Sequence, residues 1–227
     1  NFAFKAEQFI EKRAEEKEPF FLYLPLTSPH TPLSVNRPWI GESGLDNLYA
    51  DLVMETDDIV GQVLASLEAQ GVKENTLIIF ASDNGCAPYI GVDQLEAQGH
   101  YPSAHFRGYK SDVWDGGHRI PCIARWPGEI PAGSQCDQLV SLSDLMATCA
   151  DILDEDLPDT SAEDSVSMLS IIQFQVNLLS EIGSGNLFSA RVQGDGVKMM
   201  PKLLEKDCLR SSFMIWSQIQ KRKIIFL

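Results

Sequence analysis

The sequence predicts an α/β fold, a mostly parallel sheet flanked by helices, with a small irregular C-terminal segment. Three observations lead there. The runs FFLYLPL (20–26) and TLIIFA (76–81) are short and nearly all apolar, which suits strands covered on both faces. Segments with apolar residues at helical spacing alternate with them, as in crossover-linked parallel sheets. Polar clusters follow directly after both runs, at the strand ends where ligands gather in such sheets.

The elements follow in order. Residues 3–17 place Phe4, Phe9 and Ile10 among Lys and Glu at helical spacing, and Pro19 ends that helix. Residues 27–44 contain Pro29, Pro32, Pro38, Gly41 and Gly44 and read as a loop. Leu45–Gln70 predicts a long helix with Leu48, Leu52, Ile59, Val63 and Leu67 on one face and Gly71 as its stop. Residues 82–119 form a loop whose length marks it as functional or disordered. IPCIARW (120–126) predicts a third strand, with Pro121 near its start or on a sheet edge. Residues 141–153 predict another helix, with Ser143 as a cap.

Composition narrows the function classes. Hydrophobic residues make up 44% of the 227 positions, enough for a packed core. A formal net charge of -14 repels phosphate backbones, so no nucleic-acid partner is expected. The terminal Lys221–Lys223 cluster reads as a solvated tail. No apolar run approaches the roughly 18 residues of a membrane span. The five cysteines (Cys86, Cys122, Cys136, Cys149, Cys208) show no CxxC pair, and fit free thiols or one or two disulfides with a leftover. The chain opens as the middle of a helix, without Met or a signal peptide, which predicts a beginning further upstream.

Three clusters carry candidate chemistry. In Ser82-Asp83-Asn84-Gly85, Asp83 and Asn84 offer hard oxygen ligands after a buried strand; the same residues also suit a plain Asx turn. In Thr27-Ser28-Pro29-His30-Thr31-Pro32, prolines stiffen a loop around a histidine suited to proton donation or anion contact, or to a plain surface position. Phe106–Lys110 and Trp114–Pro121 bring cations and glycines together before a strand, as an oxyanion site or as a solvated loop.

Together these residues resemble the sulfatase family of the alkaline-phosphatase superfamily, with arylsulfatases the nearest in appearance. The blocks PFFLYLPLTSPHTPL (19–33), YADLVMETDDIVGQVLASLEAQG (49–71), TLIIFASDNG (76–85) and FRGYKSDVWDGGHRIPCIARWPG (106–128) stand in the family's order, and the likeness runs to about residue 169. The resemblance implies hydrolysis of a sulfate monoester, with a sulfated sugar or aryl sulfate as substrate. It implies calcium (Ca2+), with Asp83 and Asn84 as metal ligands, and a formylglycine nucleophile. It implies that Lys110 contacts sulfate and that His30 lies near the leaving-group oxygen, both as catalytic and substrate-binding residues. His118 and Arg119 are weaker candidates. A periplasmic, extracellular or lysosome-like compartment is the family's expectation; oligomeric state is not readable.

The sequence also departs from the family. No C-x-P-S-R or S-x-P-x-R segment occurs, and Cys86 is followed by Ala87-Pro88-Tyr89-Ile90. The nucleophile and the remaining calcium ligands are therefore expected upstream of Asn1. Residues 1–160 read as the later part of the catalytic domain and 161–227 as a C-terminal subdomain. From about residue 171 the match collapses, which predicts a divergent or frame-disrupted tail; RVQGDGVKMM (191–200) is a faint echo of the family's R-x-G-x-W-K-L strand. Alternative readings are a non-catalytic or decayed relative that binds sulfated glycans, and a phosphatase or phosphodiesterase of the same superfamily. The last is disfavoured by the absence of a D-x-H or D-H metal pair.

Overall fold

A computed structural model describes residues 2–172, 188–193 and 223–227. Helix α1 (Phe2–Glu16) leads into strand β1 (Phe20–Tyr23), and a loop then reaches α2 (Leu48–Ala69) and β2 (Thr76–Ala81). Two short helices, α3 (Val92–Ala97) and α4 (Asp115–His118), interrupt the predicted long loop before β3 (Arg119–Arg125). Strand β4 (Gln135–Val140), helix α5 (Asp144–Leu153), β5 (Phe188–Gln193) and β6 (Lys223–Phe226) complete the described fold.

The six strands form one sheet in the order β1-β6-β2-β3-β5-β4. β1, β6 and β2 run parallel, as do β4 and β5, and β3 runs against its neighbours β2 and β5. Among the described strands β3 alone is reversed, so the sheet is mostly parallel with helices on both faces. Side-chain alternation along β2 divides the core. Ile78 packs with Ile225 against Ile10 of α1 and Val63 and Leu67 of α2. Leu77 and Ile79 face the other layer, with Trp126, Ile130, Ile152 and Met168. Each of these chains is nearly fully buried, worth roughly 1.5–3 kcal/mol of transfer free energy apiece.

Several expectations are corrected. α1 buries Ala3, Ala6 and Ile10, while Phe4 is 55% exposed, because the helix packs a small-residue stripe closely onto α2. Leu48 also lies outward, and α2 starts instead at Asn47, whose side chain caps Tyr49 and Ala50. Ser143 gives α5 no cap bond; the first-turn Ala147 N donates instead to Ser165 Oγ at 2.9 Å, while Asp144 accepts from Ser141 N at 2.7 Å and Val166 N at 2.9 Å. Pro121 stands near the start of β3, which is an interior strand. Gly71 does stop α2, with φ +65° and Val72 N bonded back to Leu67 O at 3.0 Å. Cys86, Cys122, Cys136 and Cys149 are free thiols; Cys208 lies outside the described residues. So does most of the tail from residue 171, apart from residues 171–172, 188–193 and 223–227. No described helix is long and apolar enough to cross a membrane.

Candidate active site

The two polar clusters leave the same edge of the sheet. β1 and β2 are parallel with β6 between them, so TSPH and SDNG emerge two strand spacings apart, about 10 Å. Ala81 pairs with Cys122, which brings the start of β3, and the basic loop before it, to that edge as well.

Beyond β2 the chain makes a tight turn. Ser82 Oγ donates to Asn84 O at 2.9 Å, and Asn84 Nδ2 donates to Gly85 O at 3.1 Å. The bonded amide nitrogen leaves Asn84 Oδ1 as a free acceptor. Asp83 is exposed, and its carboxylate has no partner among the described residues.

The basic loop is bonded directly to this turn. Gly85 N donates to Gly117 O at 2.9 Å, and Lys110 N donates to Cys86 O at 2.8 Å. No side chain fits between the two segments. A Cβ on Gly85 would meet Gly116 O at 1.9 Å, one on Gly116 would meet Gly108 O at 2.0 Å, and one on Gly117 would meet Asp112 O at 2.3 Å. The Asp83-Asn84 turn and the Lys110 loop are therefore one backbone-to-backbone knot. Lys110 is half-buried, and its ammonium has no partner among the described residues.

Other polar groups of the loop are spent on its own structure. Arg107 stacks on Trp114 at 3.7 Å, and Arg119 lies over Phe106 at 4.6 Å while pairing with Asp115 at 2.8 Å. His118 Nε2 bonds Val113 O at 3.0 Å. Burial, then the Glu96 carboxylate, pushes the Tyr109 hydroxyl up. Burial pushes the Cys86 thiol up too, so this cysteine is a poor nucleophile. α3 anchors the middle of the segment through Ile90, Val92 and Leu95 against Ala50.

His30 is exposed on the loop after β1. Its Nδ1 lies 2.7 Å from Thr31 O, so that nitrogen carries the proton and Nε2 faces outward for chemistry. Three buried residues of α2, which the apolar spacing of the predicted helix does not mark, hold this loop. Glu55 accepts from Asn36 N at 3.0 Å and from the Asn36 amide. Asp51 accepts from Gly41 N at 2.8 Å and Ser43 N at 3.0 Å. The Thr56 hydroxyl lies 2.7 Å from Ser28 Oγ and 2.7 Å from Leu52 O.

Asp83 and Asn84 supply carboxylate and amide oxygens, the donor chemistry that suits calcium, but only two of its usual 6–8 ligands. Among the described residues no three His, Cys, Asp or Glu side chains assemble as a metal shell. The pair fits one part of a calcium site.

Two oxygen-bearing side chains and a lysine with no partner among the described residues are thus held together by backbone bonds at the carboxyl edge of an α/β sheet. The sulfatase family profile matches residues 1–155, and the chain belongs to the sulfatase family. It is 34% identical over 165 residues to N-acetylgalactosamine-6-sulfatase of Canis lupus familiaris, covering 73% of this chain and 30% of that protein. Arylsulfatase G of Rattus norvegicus is 33% identical over 182 residues, covering 75% of this chain and 33% of its own length. The chain thus spans about a third of the curated relatives it matches. A solved structure described with the metabolism of multiple glycosaminoglycans by Bacteroides thetaiotaomicron superposes with a TM-score of 0.68 at 31% identity, over 76% of this chain and 36% of that one. Ps i-CgsB, in complex with k-i-k-neocarrahexaose, gives 0.66 at 29% identity, over 76% and 38%.

Proposed function

We propose that this chain is the later part of a calcium-dependent sulfuric ester hydrolase, acting on sulfate monoesters of sugars. The knot that bonds the Asp83-Asn84 turn to the Lys110 loop is the observation that carries this reading. It holds the proposed cation ligands and the Lys110 ammonium in fixed relation, as the anionic –OSO3 group of a sulfate monoester requires. The name N-acetylgalactosamine-6-sulfatase and the neocarrahexaose bound to Ps i-CgsB support sugar esters, while the name arylsulfatase G keeps aryl sulfates as the second substrate class.

The roles follow from the side chains. Lys110 binds a non-bridging sulfate oxygen and offsets its charge. His30, with both ring nitrogens protonated as an imidazolium, gives the Nε2 proton to the bridging oxygen as the S–O bond breaks, so that an alcohol leaves instead of an alkoxide. Asp83 and Asn84 hold calcium, which when bound polarises the sulfate oxygens. The formylglycine nucleophile would come from a part of the enzyme outside this sequence.

The test uses the full-length enzyme containing this chain. Lys110→Ala lowers kcat/KM at least tenfold, the scale of losing a hydrogen bond to a charged group (about 1.5–3 kcal/mol). Chelation of calcium abolishes turnover, and calcium, not zinc, restores it. Full activity after Lys110→Ala would sink the sulfate-site assignment.

A further inference from the structure

α2 buries an unusual amount of polarity in its N-terminal half. Asp51, Glu55 and Thr56 are 2%, 8% and 9% exposed. Buried carboxylates are unfavourable unless fully bonded. All three side chains are spent on one loop, and they grip it at separate points: Ser28, Asn36, Gly41 and Ser43. The Thr56 hydroxyl has a single proton, which goes to Leu52 O, so it accepts from Ser28. Ser28 is two residues from His30. The bonds that His30 itself makes are to Thr27 and Thr31, within the loop. Nothing in those local bonds fixes the imidazole relative to the sheet edge that carries Asp83 and Lys110.

The geometry points to Thr56 and Glu55 as positioning residues that set the place of His30 over the site. The inference rests on the reading that His30 protonates the leaving oxygen. In that step the nucleophile's oxygen bonds to sulfur, the S–O bond to the leaving group breaks with its electron pair on that oxygen, and the His30 imidazolium passes its Nε2 proton there while Nδ1–H stays on Thr31 O. Placement of Nε2 then matters most where the leaving alcohol is a poor one, because a good leaving group departs without its proton. The Thr56–Ser28 bond fixes the near side of the loop, two residues before the histidine, and Glu55 fixes Asn36 on the far side.

The experiment compares 4-nitrophenyl sulfate, whose leaving group is good, with a sugar 6-sulfate, whose leaving group is poor, in the full-length enzyme. Thr56→Val and Ser28→Ala, which remove the same bond from opposite ends, lower kcat on the sugar ester tenfold or more. They change kcat on 4-nitrophenyl sulfate by less than threefold and KM for either by less than twofold. Thr56→Ser restores the sugar-ester rate. Glu55→Gln gives the same split and speeds amide exchange at Asn36. Ser28 is only partly buried, so its alanine variant reports even where Thr56→Val does not fold. His30→Ala separates the two claims. If it shows no leaving-group dependence, the role of His30 fails. If it shows that dependence while Thr56→Val, Ser28→Ala and Glu55→Gln behave as wild type or lower both substrates equally, the positioning inference is overturned.

Discussion

At the scale of single residues, Asp83 and Asp51 are both aspartates beside tight turns, yet they are opposites. Asp83 is exposed with no described partner, whereas Asp51 is buried and accepts two backbone N–H groups. Asp51 stands among apolar neighbours in LYADLVM (48–54), whereas Asp83 stands in the polar turn SDNG (82–85). Asp83 was legible because it closes an apolar strand at the edge where ligands bind. Asp51 falls inside the predicted helix 45–70, and nothing local marks Gly41 and Ser43 as its partners. Its chemistry makes a prediction. Hydrogen bonds from Ser43 and Gly41 hold the Asp51 carboxyl below its ordinary value. A depressed pKa contributes stability above the unfolded value of about 3.9, and that stability is lost as pH falls through the folded value. Asp51→Asn therefore lowers the urea midpoint at pH 7 and flattens its decline below about pH 4. An acid limb of unchanged slope would show that other carboxylates carry it. Asp83→Ala, by contrast, leaves the urea midpoint within error and weakens calcium binding to the full-length enzyme about tenfold or more by titration calorimetry. Unaltered calcium affinity would remove Asp83 from the ligand set.

At the scale of elements, hydrophobic runs and stops were readable and caps were not. β2 and the stop of α2 at Gly71 follow from an apolar run and a glycine with left-handed backbone. The start of α2 was hidden because Leu45 and Leu48 extend the apolar pattern past the true cap. Asn47 caps two amides and also donates to Ile90 O at 2.8 Å, tying α3 to the head of α2. Asn47→Ala thus costs about 1–2 kcal/mol by equilibrium unfolding, the upper end for a lost N-cap. A loss below about 0.5 kcal/mol would mean the helix starts elsewhere. The knot between residues 85–86 and 107–117 was legible only as a surplus of glycines. Its bonds join segments distant in sequence, and such contacts leave no periodic trace. Gly117→Ala places a methyl against Asp112 O and Tyr109 O, so it reduces Lys110-dependent and calcium-dependent activity together. Loss of one without the other would refute a single rigid unit.

At the scale of the whole molecule, the sheet places the site, and its least legible strand stands second from one edge, between β1 and β2. KIIF carries no alternation to mark it as a strand, and the tail around it fits neither a helical nor a strand pattern. In the structure β6 lies between β1 and β2, pairing in parallel with both, and Leu227 continues the bonding to Ile79. Four residues are too few for a periodic signal, and a strand buried on both faces has no polar side to display one. β6 also sets the spacing between the histidine loop and the Asp83-Asn84 turn, since both flanking strands hang on it. Ile225 is fully buried among Ile10, Val63, Leu67 and Ile78. Ile225→Ala should then cost about 2–5 kcal/mol, and Ile225→Val about 0.5–1.5 kcal/mol. Both should shift the urea midpoint at constant slope, as a core cavity does without changing the surface exposed on unfolding. A surface-like response, with both variants within about 0.5 kcal/mol of the parent, would remove β6 from the sheet. β1 and β2 would then need another neighbour, and the two-strand separation of His30 from Asp83 would fall with it.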